Sequence, residues 1–367
     1  MYLVMILALP LLISLIMFVW SRGRFAWQEF ATLVLVSVAV VGAGYAIGSQ
    51  QSISDVEIVS GRITEKVRQR ISCRHSYSCN CVTVSCGKDC STTQCQTCYD
   101  HSYDVQWLAR TNAMDNTIYF DTLDRQGLHP GAEWHRAYVG EPVAFQHSYD
   151  NYIKAHPESV LRQFTTDYSK YQMIPYPDDV NGYRINRFRS LGYEEQHAAD
   201  WNWHLSEIAG DLGPTKQVEP IVVAVKSADP TYEYAFQHAW LGGKKNDVVI
   251  LLGVPEYPKI SWVRIMSWTD REDLKVELRD ALMNIGTMDQ RDQLLQEIRN
   301  QLQTKFQRMH MKNYEYLLSQ YEPGAGLTMF LFVLALLLNI GGSIYFHLAD
   351  PFGIENTYRN TYRKRMY

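Results

Sequence analysis

Leu327–Leu348 reads LTMFLFVLALLLNIGGSIYFHL and contains no Asp, Glu, Lys or Arg. A helix needs about 20 apolar residues to cross the hydrocarbon of a bilayer, and this stretch is long enough. Pro323-Gly324 precedes it and Asp350-Pro351 ends it. Two further stretches have the same character: Tyr2–Trp20, interrupted by Pro10, and about Phe30 to Gly48. Yet the mean hydropathy of the chain is only −0.24. Its apolar residues are therefore concentrated in these three places, and the rest has the balance of a globular domain.

Tyr2–Trp20 lacks a basic start and a small-x-small cleavage site, and a second apolar stretch follows closely. The expectation is a helical hairpin rather than a cleaved signal. Lys and Arg flanking a span favour the cytoplasm. The tight loop Ser21-Arg22-Gly23-Arg24 and the tail with Arg359, Arg363, Lys364 and Arg365 are both basic. They predict a cytoplasmic loop and C-terminus, with the N-terminus and residues 50–325 outside the inner (plasma) membrane. A net charge of −4 gives no basic excess for nucleic acid. The bilayer is the expected partner, together with an envelope protein or a second copy of the chain.

All seven cysteines fall in one short segment: Cys73, Cys79, Cys81, Cys86, Cys90, Cys95 and Cys98. Outside the cytoplasm such a segment is expected to be stapled by disulfides, with one thiol left over because seven is odd. Cys95-Gln96-Thr97-Cys98 also has zinc-knuckle spacing, to which His75 and His101 would add ligands. His-Ser-Tyr recurs at His75–Tyr77, His101–Tyr103 and His147–Tyr149, the last two continuing to Asp104 and Asp150. Three histidines in equivalent settings suit a metal with imidazole ligands. The same repeat also fits similar strand edges with packed Tyr rings and solvated His.

The outer region reads as strands first and an α/β unit later. Residues 51–70 alternate apolar and polar, and Val105–Ala109 and Thr117–Phe120 are strand-like. A short helix is predicted from Pro157–Leu161, and another over 193–210, stopped at Gly210 and Gly213-Pro214. Ile221–Val225 and Asp247–Val254 are continuous β-branched runs, as strands buried on both faces require. Asp229-Pro230 opens a helix to Trp240 between them, and Ile260–Met266 is a third strand. Thr269-x-x-Glu272 has the form of a capping box for a helix to Ile285. A long amphipathic helix is predicted from Asp289 to Ser319. The first two of these strands should be parallel, the third antiparallel to the second.

The expected fold class is thus an α+β membrane protein. It divides into a transmembrane hairpin (1–49), a strand with the Cys-rich stapled region (50–102) and a mixed β-rich region (103–217). A β-α-β-β-α-α subdomain (218–320), a third span (327–348) and a basic tail (349–367) follow.

At Gly243-Lys244-Lys245-Asn246-Asp247-Val248-Val249-Ile250-Leu251-Leu252 the chain resembles the TPM-domain family, whose domains sit outside a membrane beside one or more spans. The resemblance covers residues 218–320 and implies a binding or assembly factor, or an acid phosphatase. The family's glycine-rich stretch after its third strand is absent, the chain reading Met266-Ser267-Trp268-Thr269-Asp270 there. The whole chain is also similar to uncharacterised membrane proteins of tailed bacteriophages.

Tracing the strands brings Asp247 to the helix start that carries Asp270 and Asp273. Carboxylates on loops suit calcium or magnesium, so these three are the candidate metal ligands, while ordinary turn and helix-start chemistry also accounts for them. No catalytic motif is present; Gly242-Gly243-Lys244-Lys245 follows a helix instead of opening one, so it is not a phosphate loop. Gly44-x-x-x-Gly48 is expected to pack helices closely, within the chain's own three spans or in a dimer. The leading expectation is an extracytoplasmic binding or envelope-modifying protein, phage-encoded and acting in exclusion, lysis or assembly. The alternative is a divalent-metal-dependent, phosphatase-like hydrolase using residues 218–320.

Overall fold

The computed structural model describes residues 2–20, 27–87, 90–155, 168–320 and 323–349, with backbone alone at 2, 85–87, 90–91, 155 and 318–320. The loop Ser21–Arg24, the predicted helix at Pro157–Leu161, the basic tail and the side chains of Cys86 and Cys90 lie outside the described residues.

In chain order the elements begin with α1 (Tyr2–Trp20), α2 (Trp27–Ile53), β1 (Ser54–Ile71), β2 (Ser76–Gly87), β3 (Cys90–Tyr99), β4 (Asp104–Thr111) and β5 (Thr117–Phe120). Next come α3 (Ala132–Arg136), β6 (Pro142–Asp150), α4 (Tyr152–Ala155), β7 (Phe188–Leu191), α5 (Ala198–Lys216), β8 (Glu219–Val225) and α6 (Tyr232–Ala239). The last are β9 (Asp247–Gly253), β10 (Trp262–Met266), α7 (Glu272–Ile285), α8 (Arg291–Lys305) and α9 (Ala325–Ala349). They form two compact units: residues 1–55, 149–163 and 311–367 make one, and 56–148 with 164–310 the other.

The first unit contains α1, α2 and α9, all three long and apolar enough to cross a membrane. Large apolar side chains such as Val4, Leu35, Met329 and Leu348 stay exposed on them, while Ile6, Val41, Leu331 and Ala335 pack inward. Glycine sets the spacing. A β-carbon at Gly44 would come within 2.6 Å of Leu331 Cδ2, and Leu327 overlies Gly48 in the same way. Both glycines therefore serve packing between α2 and α9 of one chain. A polar tie joins all three helices: Ser14 Oγ donates to Asn339 Oδ1 at 2.8 Å, and Asn339 Nδ2 donates to Ser37 Oγ at 2.9 Å.

The second unit has two four-stranded sheets and a two-stranded arm. The first sheet has order β5-β4-β1-β6, and the second β10-β9-β8-β7. In the second sheet β8 pairs parallel with β9, and β10 antiparallel with β9, as the buried runs and the short turn require. Both faces are covered, which is why the runs are unbroken. Val222, Ala224, Ile250 and Leu252 pack with Leu205 of α5, Leu278 of α7 and Ile298 of α8. Ile221, Val223, Val249 and Leu251 pack on the other face with Phe236 of α6. The sheet has one more strand than expected, β7, which runs parallel to β8. Four residues are too few to show a period.

Three expectations are corrected. The helix expected to stop at Gly210 continues through Gly213-Pro214 to Lys216. These glycines lie against the backbone of Ser60 and Gly61 of β1, with Ser60 O filling the space of a β-carbon at Gly213. They permit close approach rather than mark an end. The amphipathic helix expected to reach Ser319 stops at Lys305, because Phe306 turns extended (φ −62°, ψ 132°) and buries its ring in the core; residues 311–320 form a separate 3-10 helix. Nor does the capping box close. The α7 N-cap is Arg271, and Thr269 is buried, its hydroxyl accepting from Arg271 N at 3.3 Å.

Candidate metal centre at the neck of the arm

β2 and β3 form an antiparallel hairpin whose described side chains are nearly all exposed. It has no hydrophobic core of its own, so covalent staples take that role. Cys79–Cys98 and Cys81–Cys95 are disulfides that cross it on either side of Asn80, a residue with φ 47° at a register shift. Cys95 and Cys98 are therefore bridge partners rather than knuckle ligands. Cys73 belongs to neither bridge: it is buried and carries a free thiol.

The arm joins the first sheet through two short connectors, 72–75 leaving β1 and 100–103 entering β4. β1 and β4 are paired to their ends, Ile71 lying opposite Asp104. Asp100 N donates to His75 O at 3.0 Å, which draws the connectors together. This pairing gathers Cys73, His75, His101 and Asp104, whose ligand atoms all lie within 4.8 Å of one another. His75 Nδ1 is 3.3 Å from Asp104 Oδ2, His101 Nδ1 is 3.3 Å from Asp104 Oδ1, and Cys73 Sγ is 3.9 Å from His101 Nδ1. Four donors arranged tetrahedrally at zinc–ligand lengths stand roughly 3.3–3.8 Å apart. The spacing found here is close to that.

The electrostatics fit an anionic ligand at Asp104. Arg74 N donates to its Oδ2 at 2.8 Å and holds the carboxyl below its usual range, with Cys73, His101 and His75 adding to the effect. Cys73 and Asp104 are almost fully buried, whereas the side chains of His75 and His101 keep 32% and 26% of their surface exposed. His75 Nδ1 is itself shielded and makes no hydrogen bond among the described residues. A shielded ring nitrogen that faces a carboxylate oxygen without a hydrogen bond is costly, and a cation bound between the two would satisfy both. One thiolate, two imidazoles and one carboxylate suit zinc and similar borderline metals. Calcium and magnesium prefer all-oxygen shells, so this donor set does not favour the ions expected from the acidic loops.

Those acidic residues do not assemble: among the described residues Cys73, His75, His101 and Asp104 are the one such ligand group. The strand tracing itself holds, since Ser267 Oγ donates to Asp247 O at 2.6 Å. The carboxylates face elsewhere. Asp247 is fully buried, accepts from Lys244 N at 2.7 Å and Tyr176 Oη at 2.8 Å, and burial pushes it up to about 7. Asp270 is exposed. Asp273 is gripped by Arg271 at 2.9 and 2.6 Å, which holds it down at about 2.

The His-Ser-Tyr repeat marked two of the ligands, and its extension to Asp104 marked a third. Its other copy diverges: His147 Nδ1 sits 3.0 Å from Glu57, a fully buried carboxylate that also pairs with Lys245 at 3.3 Å and with Arg308. Cys73 carries no such mark in the sequence, because it stands among cysteines expected to cross-link.

No family model, curated protein or solved structure matches this chain.

Proposed function

We propose that this is a membrane-anchored, zinc-class metal-binding protein whose ion clamps the base of an extracytoplasmic recognition arm. The observation that carries the reading is the convergence of Cys73, His75, His101 and Asp104 on the two connectors of one hairpin. Four protein donors leave no open position, the mark of a structural rather than a catalytic zinc site. Bound there, the metal would fix the angle at which the arm leaves its sheet. The arm carries exposed Tyr77, Val82, Val84 and Tyr99, side chains suited to contact with a protein partner. Disulfides beside a free thiol support an oxidising compartment, where metal ligation would also protect Cys73. The three apolar helices and the basic flanks support the membrane anchor and its direction.

A second reading keeps the metal and gives it chemistry. The partial exposure of His75 and His101 favours it, because a water replacing one donor would leave the three-ligand arrangement of hydrolytic zinc sites. Such a hydrolase would use residues 73–104 and not 218–320.

One comparison separates these readings. Detergent-purified protein loaded with zinc and desalted should retain about one ion per chain, and His75→Ala or His101→Ala should lose it. A wild type without zinc would sink both readings. Turnover of p-nitrophenyl phosphate that follows zinc content would replace the clamp by the hydrolase.

A further inference from the structure

We infer that the second unit carries a binding site for a small organic ammonium at the carboxyl ends of β7 and β9. In sheets with parallel strands, ligands bind in the crevice beyond the carboxyl ends, where the loops diverge. A cleft of about 450 Å³ lies there. Glu195 reaches it four residues beyond β7 and Tyr257 four residues beyond β9, and Asp289 and Asp292 line it from the start of α8.

Glu195 carries the argument. It is only 5% exposed, yet no lysine or arginine pairs with it among the described residues. Its Oε1 accepts from His197 N at 3.2 Å and meets the Tyr257 hydroxyl at 3.5 Å, while Oε2 is shielded and has no hydrogen-bond donor among the described residues. A shielded carboxylate oxygen without a donor is costly, and a bound cation would satisfy it. Two tyrosines flank it. The Tyr193 and Tyr257 rings are 5.8 Å apart, the Tyr193 hydroxyl is buried with no hydrogen bond among the described residues, and burial beside Glu195 pushes both phenols up, so both stay protonated. A buried carboxylate that meets the hydroxyl of a half-exposed tyrosine, whose ring could cover an alkyl group or a cation, is a setting suited to an alkylammonium.

The charges exclude an anion. Arg291, the cation lining the cleft, is taken up by Asp200 at 2.9 Å and Asp292 at 3.1 Å. The start of α8, which would otherwise attract an anion, already carries Asp292 in its first turn, with Asp289 just before it. A metal ion is also a poor fit, because these carboxylates do not gather into a ligand set among the described residues.

The test uses the full chain in detergent, titrated with ethanolamine, choline and putrescine, each beside its neutral isostere (ethylene glycol, 3,3-dimethylbutanol and 1,4-butanediol), and read by saturation-transfer NMR. At least one amine should bind saturably while its isostere does not. Glu195→Gln, which keeps the shape and removes the charge, should weaken that binding by more than about tenfold. Tyr257→Leu, at a half-exposed site that folding tolerates, should weaken it by about threefold. Amines that bind no better than their isosteres, or binding unchanged in Glu195→Gln or Tyr257→Leu, would overturn the assignment.

Discussion

Cys73 Sγ lies 3.9 Å from Nδ1 of His101, 28 residues away at the far end of the arm. The two residues are on different connectors, so anything that binds both closes the neck. Cys73 should consequently respond to metal as a thiol. In zinc-loaded protein it should resist maleimide, and a chelator should release one further reactive thiol that is missing in Cys73→Ser. Because ligation needs a thiolate and neutral imidazoles, acid should release it too. A thiol equally reactive with and without chelator would count against ligation.

Arg187 and Glu219 form a buried ion pair, 3% and 1% exposed and 2.5 Å apart, closed by Ser60 Oγ at 2.8 Å from each. Burial pushes the Glu219 carboxyl up, against the downward pull of Arg187. Glu219→Gln leaves the guanidinium buried without a counter-charge and should cost about 3–5 kcal/mol. Replacing both residues by Met should recover most of that loss. Denaturant unfolding measures both, and a loss below about 1 kcal/mol would place the pair in the class of surface bridges.

Asp247 gives a dependence on pH. Its folded value, raised to about 7 by burial, exceeds the unfolded value of about 3.9. The native state therefore holds the proton more tightly. Its contribution is full below about pH 4 and is lost as pH rises to 7, by about 1.4 kcal/mol per unit. Asp247→Asn can still accept from Lys244 N and Tyr176 Oη. It should match the wild type at pH 4, become more stable with rising pH, and level off above 7. A difference that stays constant with pH would contradict this.

Asn339 ties α1 to α2 within an apolar bundle. Asn339→Leu should weaken the association of these helices by about 1 kcal/mol, and Ser14→Ala should add little once Asn339 is gone. Gly44→Leu collides with Leu331 and should cost about 1–3 kcal/mol as overpacking. Thermal denaturation in a mild detergent reads both changes, and a Gly44→Leu protein as stable as the wild type would remove the glycine's packing role.

The sequence shows its long-range order where a physical period is strong. Unbroken apolar runs gave α1, α2 and α9, and β-branched runs gave β8 and β9 with their parallel pairing. Short or compromised signals misled: β7 is too brief to show alternation, and Gly213-Pro214 looks like a terminator while serving contact with Ser60. The acidic loops suggested a metal site because backbone tracing does bring their chain segments together. Side-chain direction then decided otherwise, turning Asp247 inward to Tyr176 and Asp273 to Arg271. At the arm, the repeat His-Ser-Tyr pointed to His75 and His101 as imidazole ligands, but only strand register could show that Cys73 and Asp104 meet them.

Cobalt substitution tests the metal clamp most directly, since a thiolate bound to Co(II) gives a near-ultraviolet charge-transfer band and tetrahedral geometry gives intense visible bands. Both bands are expected, saturating at about one cobalt per chain. The charge-transfer band should vanish in Cys73→Ser, and uptake should fall in His101→Ala. A wild type that shows no thiolate band, or a Cys73→Ser protein with an unchanged spectrum, would contradict the metal clamp.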